Sequence, residues 1–166
     1  MLFRFAAALA FGALLGVERE LVKKEAGVRT EMLVAGGAAL FAMIGLSLPG
    51  IVSTDTGNLA DVVARNSGFL TVIANIVVGI GFLGAGLIIK TGDRPHGVTT
   101  AALVWATAAI GTLAGIGLIV FAGIAAAVIA ALLFSLRKLN VSERLEAEGV
   151  EAGFTEQPAK KSPRGR

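Results

Sequence analysis

The chain has 166 residues, 55% of them hydrophobic and 16% charged, with a mean hydropathy of +0.78 and a formal net charge of +3. Soluble domains carry about 25% charged residues, so an ordinary soluble domain is excluded and an integral membrane protein is expected. The chain has no cysteine, which excludes disulfides and thiolate chemistry. One histidine, His96, cannot build a histidine metal site alone. The basic residues are split among short loops and a tail, so the positive charge does not indicate a nucleic-acid partner.

A membrane-spanning helix needs about 20 apolar residues. Leu2 to Val17 is a short first span, interrupted by Arg4. Its alternative reading, a cleaved signal peptide, is disfavoured, because cleavage would leave the basic segment that follows outside the cell. That segment holds Glu18, Glu20, Glu25 and Glu31 with Arg19, Lys23, Lys24 and Arg29. Its charges cancel, and on residue types it reads as a solvated, salt-bridged loop. Met32 to Val52 is the second span, with Pro49 and Gly50 at its exit, and Phe69 to Ile89 is the third.

The third span carries Gly79-Ile80-Gly81-Phe82-Leu83-Gly84-Ala85-Gly86. Gly79, Gly81 and Gly84 spell G-x-G-x-x-G, the dinucleotide-binding pattern. That pattern needs a strand before it, a helix after it and an acidic residue about 20 positions on. In an uncharged apolar run the same glycines read as a helix-packing face, where another backbone can come close. The next segment, Lys90 to Gly97, contains Asp93 and His96 and must be a tight turn. Asp93 and His96 are too few for a metal site or a catalytic pair, so no metal, cofactor or catalytic residue is expected.

Val98 to Leu136 has no formal charge. As one helix it would be roughly 58 Å long, too long for one crossing. It is predicted to turn back at Gly115-Ile116-Gly117, giving a fourth span over Val98 to Ala114 and a fifth over Leu118 to Leu136. The expected fold is therefore all-α, a polytopic helix bundle of about five spans. Residues 1–136 would form the transmembrane domain. Residues 137–166 would form a charged cytoplasmic tail, disordered towards its end. With five spans, every lysine and arginine except Arg4 and Arg65 lies on one side, which predicts an outside N-terminus and a cytoplasmic C-terminus.

No Asp, Glu, Lys or Arg falls within spans two to five as drawn, which argues against a mid-membrane carboxylate site. On the third span, Thr71, Asn75, Gly79, Phe82 and Gly86 share one face. On the fourth, Thr100, Thr107, Gly111 and Ala114 do the same. These two stripes are expected to face each other or another subunit. Asn75 and the threonines read first as helix glue and second as contacts to a permeant or bound ligand. Gly12-x-x-x-Gly16 and Gly111-x-x-x-Gly115 are weak small-residue patterns, and Trp105 reads as packing bulk.

Several strings together resemble one family. Gly16-Val17-Glu18-Arg19-Glu20 is similar to G-L-E-R-E. Lys24, Ala26-Gly27-Val28-Arg29-Thr30 and Leu33-Val34 are similar to K-x-A-G-L-R-T-x-x-L-V. Ala38-Ala39-Leu40-Phe41 resembles a second-span A-L-F, and Gly79 to Ile88 resembles G-I-G-F-L-G-A-G-x-I. Gly97-Val98-Thr99-Thr100-Ala101-Ala102 with Trp105 resembles G-L-T-T-A-A-x-x-W, and Ala108-Ala109-Ile110-Gly111 follows on. Their order and spacing over residues 12–136 resemble the MgtC/SapB family of bacterial inner-membrane proteins. The chain departs from the family in lacking the charged D-P-x-R before the third span. Asn75 stands for a glutamine and His96 for a common arginine. The residues after Leu136 are expected to be too few for the C-terminal soluble domain of some members.

The resemblance implies a multi-pass inner-membrane protein linked to magnesium and acid-stress adaptation, a regulator of other membrane proteins rather than a transporter. The residues themselves, lacking a catalytic cluster, argue against an enzyme. The runner-up is an oligomeric transporter or channel for magnesium or another cation. The polar residues within the family strings are Glu18, Arg19, Glu20, Arg29, Thr30, Lys90, His96, Thr99, Thr100 and Trp105. The expected partners are the lipid bilayer and either further copies of the chain or other inner-membrane proteins.

Overall fold

The computed structural model describes residues 1–52, 59–91 and 94–138. Five helices follow one another: α1 (Leu2–Leu21), α2 (Val28–Val52), α3 (Leu59–Leu87), α4 (Val98–Ile116) and α5 (Ile119–Lys138). Between α3 and α4 lies a two-stranded antiparallel ribbon, β1 (Ile89–Thr91) and β2 (Arg94–His96), which pairs Ile89 with His96 and Thr91 with Arg94. The tight turn expected over Lys90 to Gly97 is thus closed by backbone pairing, although Asp93 lies outside the described residues.

Val28–Ser47, Ser67–Leu87, Val98–Ile116 and Ile119–Lys138 are long and apolar enough to cross a bilayer. The expected all-α membrane bundle is therefore present. The α1 helix is not one of these four, because Arg4 and the Glu18-Arg19-Glu20 triplet leave only Phe5 to Val17 uncharged. The predicted reversal at Gly115 to Gly117 is also present. Gly117 ends α4 at φ 103°, its N–H donating to the Ala114 carbonyl while Leu118 N–H donates to that of Leu113. That left-handed helix ending favours glycine because it has no Cβ to clash.

Residues 1–130 form one compact unit, in which α2 is the central element. Its Ala35, Ala38, Ala39 and Ala42 are buried, so helices approach closely on more than one side. A Cβ built on Gly16 of α1 would meet the Val28 Cα at 2.5 Å, and one on Gly12 would run into the Glu31 carbonyl. On α4, a Cβ at Gly111 would collide with the Ala35 carbonyl, and one at Gly115 would come within 2.6 Å of that of Ala39. The two glycine pairs that look weakest in the sequence therefore set both spacings around α2. In α5, Ala122 and Ala126 are buried and Gly123 lies against the Phe11 ring. Of the second unit, residues 131–166, the described part is 131–138, the last turns of α5 with Arg137 and Lys138 at its end.

The two predicted stripes do not face each other. The α4 stripe, with Thr100, Thr107, Gly111 and Ala114, is buried, and its Gly111 meets α2. The α3 stripe of Thr71, Asn75, Gly79, Phe82 and Gly86 is exposed. Phe69 and Val72 of α3 pack instead over Gly45 of α2, and Gly84 approaches the Ala101 Cβ of α4 at 3.7 Å. The reason is competition for one surface, since the alanine-rich face of α2 takes the α4 glycines and leaves the α3 glycines without a backbone to meet.

Candidate functional site

Of the charged residues after the first span, Glu20, Lys23, Lys24, Glu25 and Arg29 are exposed as a solvated loop would have them, but Glu18, Arg19 and Glu31 are buried. The α1 helix continues through Glu18 and Arg19 to Leu21, and α2 begins at Val28. Helical turns carry Glu18 and Arg19 inward, where each is 5% exposed, and bring Glu31 to full burial in the first turn of α2. Glu31 thus lies within the membrane-span candidate Val28–Ser47. This corrects the expectation of a second span free of charge, because the helix starts before the apolar run that Met32 opens.

Each acid has a different environment. A carboxylate oxygen of Glu20 accepts a 2.9 Å hydrogen bond from Val28 N–H. It thereby caps one of the donors that a helix start leaves without an intrahelical partner. Gly27 keeps this path open, since a Cβ there would run into the same carboxylate. Glu25 is exposed and accepts a 3.3 Å hydrogen bond from the buried Thr100 hydroxyl of α4. A backbone hydrogen bond above all, and then Thr100, Lys24 and Arg19, hold its carboxyl below the usual value against a smaller opposing effect of burial.

Glu18 and Arg19 form a buried ion pair, with 3.3 Å between Oε2 and Nε, yet neither atom has a hydrogen bond. Both carboxylate oxygens of Glu31 are buried without a hydrogen-bond partner, as is the hydroxyl of the fully buried Thr107. The Thr107 hydroxyl on α4 and the Arg19 guanidinium on α1 are near enough to act on the Glu31 carboxylate. Among the described residues, no group of three His, Cys, Asp or Glu side chains is arranged to hold a metal ion.

The structure therefore brings together Glu18, Arg19, Glu20, Thr100 and Thr107 of the predicted residues, and adds Glu25 and Glu31. The helical spacing of Arg19, Glu31 and Thr107 across three helices is invisible in a single run of sequence. The remaining predicted residues lie elsewhere. Arg29, Thr30, His96 and Thr99 are exposed, and the Lys90 side chain is outside the described set. Trp105 is 53% exposed, so it does not supply interior packing bulk. Thr71 donates to the Ser67 carbonyl of its own helix at 2.8 Å. Asn75 is exposed and has no hydrogen-bond partner among the described residues. Beside the α3 face, an apolar recess of about 380 Å³ is lined by Thr30 and Val34 of α2, Phe82 and Gly86 of α3 and Val104 of α4.

A helix bundle with four long apolar spans and a charged cluster at the start of its central helix defines a multi-pass membrane protein. Residues 5–142 match the model of the MgtC family, and the chain belongs to that family. It is 41% identical over 134 residues to Protein MgtC of Brucella abortus (strain 2308), which covers 81% of this chain and 50% of that protein. The same figures hold for Protein MgtC of Brucella suis biovar 1 (strain 1330). Protein MgtC of Salmonella typhimurium (strain LT2) is 42% identical over 112 residues, 67% of this chain and 41% of that protein. The chain thus spans about half the length, or less, of these curated relatives. No solved structure matches it.

Proposed function

We propose that this chain acts as a non-enzymatic regulator in magnesium or acid-stress adaptation at the bacterial inner membrane, working through contact with a second membrane-protein helix. The observation that carries this reading is the bare glycine face of α3. A Cβ at Gly79, Gly81 or Gly86 would meet nothing within 4 Å, whereas Gly12, Gly16, Gly111 and Gly115 all abut a backbone. Glycine costs helix stability relative to alanine, so bare glycines are accounted for by a helix that docks there. Asn75 on the same face offers that helix a donor and an acceptor, which hydrocarbon does not satisfy. The recess beside Phe82 and Gly86 gives its side chains a place to seat. Gly81→Leu and Gly79→Leu, made in cells and tested by crosslinking in membranes, should abolish association while the chain still folds. Association unchanged by either variant would refute the reading.

The second reading, a cation transporter or channel, draws on one observation, the ionisable Glu31 inside a span candidate. It predicts flux of magnesium or another cation by purified protein in liposomes, reduced by Glu31→Gln or Asn75→Leu. An absence of flux under a gradient would eliminate it.

A further inference from the structure

Three ionisable side chains are closed off where α1 meets α2: Glu18, Arg19 and Glu31. With both acids charged, they carry two negative charges and one positive. Arg19 contacts Glu18, which leaves Glu31 as the acid without a counter-charge in contact. An ionised carboxylate at 0% exposure, with no donor on either oxygen, is not tolerated in a protein interior. Facing it is a second orphan, the Thr107 hydroxyl, also at 0% exposure. A hydroxyl oxygen has lone pairs to offer a cation or a proton donor. Two buried polar groups on different helices, each without a hydrogen bond, call for something small and positive.

The size of the missing charge follows from the surroundings. Of the charged residues on α1, Glu18 and Arg19 are buried, whereas Glu20 is exposed and caps α2 and Arg4 reaches the Gly115 carbonyl; Lys23, Lys24 and Glu25 of the α1–α2 connection and Arg29 of α2 are exposed. From α4 only the neutral Thr100 and Thr107 contribute, and Ser67–Leu87 of α3 contains no ionisable residue. One unit of positive charge balances the cluster. The ligand set is one carboxylate and one hydroxyl, and Arg19 already brings positive charge nearby, so a divalent ion is disfavoured.

We propose that Glu31 and Thr107 bind one small monovalent cation, a proton or an alkali-metal ion, which completes the charge of the buried Glu18–Arg19–Glu31 cluster. A proton would sit on the Glu31 carboxyl and be donated towards the Thr107 oxygen. An alkali ion would sit between the same two oxygens. The site is separate from the α3 face on which the regulatory reading rests, and either can fail without the other.

The test is thermal unfolding of the full chain in lipid nanodiscs, followed by Trp105 fluorescence. The midpoint is measured against pH at fixed ionic strength, staying above 4.5 so that Glu25 remains ionised. It is measured again with sodium, potassium or choline at fixed pH. Wild type is expected to respond either to pH or to the small alkali ions but not to choline, which is too large to enter. The pH response identifies the proton and the alkali response the metal ion. Glu31→Gln, which keeps the shape and removes the charge, is expected to lose the response. Thr107→Val should shift it roughly three- to tenfold towards higher cation concentration, the loss of one hydrogen-bonding oxygen, and Thr107→Ser should restore it. If Glu31→Gln does not fold, the Val and Ser pair decides alone. Responses equal in wild type, Glu31→Gln and Thr107→Val, or identical in Thr107→Val and Thr107→Ser, overturn the assignment.

Discussion

Gly111 of α4 lies so near the carbonyl of Ala35 in α2 that a single added carbon would overlap it. The contact is backbone on backbone, so no side chain can swing away to make room. Gly111→Ala must therefore part the two helices. The expected loss is about 1–3 kcal/mol of stability, the usual cost of overpacking. Gly79→Ala, with open space around it, should leave stability unchanged or raise it by up to about 1 kcal/mol through helix propensity. Denaturation of both variants in detergent checks the contrast, and an equal effect of the two would contradict it.

The α2 start depends on an acid from the preceding helix. Glu20→Ala removes the acceptor for Val28 N–H, and loss of a helix N-terminal cap costs about 0.5–2 kcal/mol. The local signature is faster hydrogen exchange at the Val28 amide, with amides in the middle of α4 unaffected. Exchange at Val28 that stays at the wild-type rate would rule out this cap.

Glu25 gives the fold an acid sensitivity of its own. Its carboxyl ionises more readily in the folded chain than in the unfolded one, chiefly through a backbone hydrogen bond and then through Thr100. The ionised form therefore favours folding. That contribution is complete above the ordinary value of 4.5 and is lost as pH falls through the lower folded value. Glu25→Gln should be less stable than wild type at neutral pH, and the gap should close in acid. Parallel stability curves for the two proteins across that range would contradict the assignment.

Arg4 reaches across the bundle to the α4–α5 reversal. Its Nη1 donates to the Gly115 carbonyl at 3.3 Å, and a Cβ at Gly117 would lie 3.1 Å from its guanidinium. Arg4→Met keeps the apolar stem and loses the donor, at an expected cost of about 1–2 kcal/mol for a charged donor at a long distance. Proteolysis or exchange at the Gly117 turn should rise with it. An unaltered turn would show that Arg4 is solvated instead.

The helix count, the reversal at Gly117 and the membrane class were legible because each rests on local composition. Uncharged runs announce spans, and glycine announces a left-handed helix end. The partners of the glycines were not legible. Gly12, Gly16, Gly111 and Gly115 resemble Gly79, Gly81 and Gly86 in sequence, but only the first four meet α2. Which glycine is used depends on where Ala35 and Ala39 lie, and that is a property of the assembled bundle. The buried cluster was hidden for a related reason. Glu18 and Arg19 look like loop residues until α1 is seen to run past them, and Glu31 looks like the last charge before a span until α2 is seen to begin at Val28.

Gly12 joins these two themes in one position. It lets the first turn of α2 settle against α1 through the backbone of Glu31, the residue whose carboxylate has no outlet to solvent. The glycine thus acts as a washer, its thinness deciding how closely the two helices are drawn together beside that acid. A methyl group there would push the first turn of α2 away from α1 at the very residue that carries the buried acid.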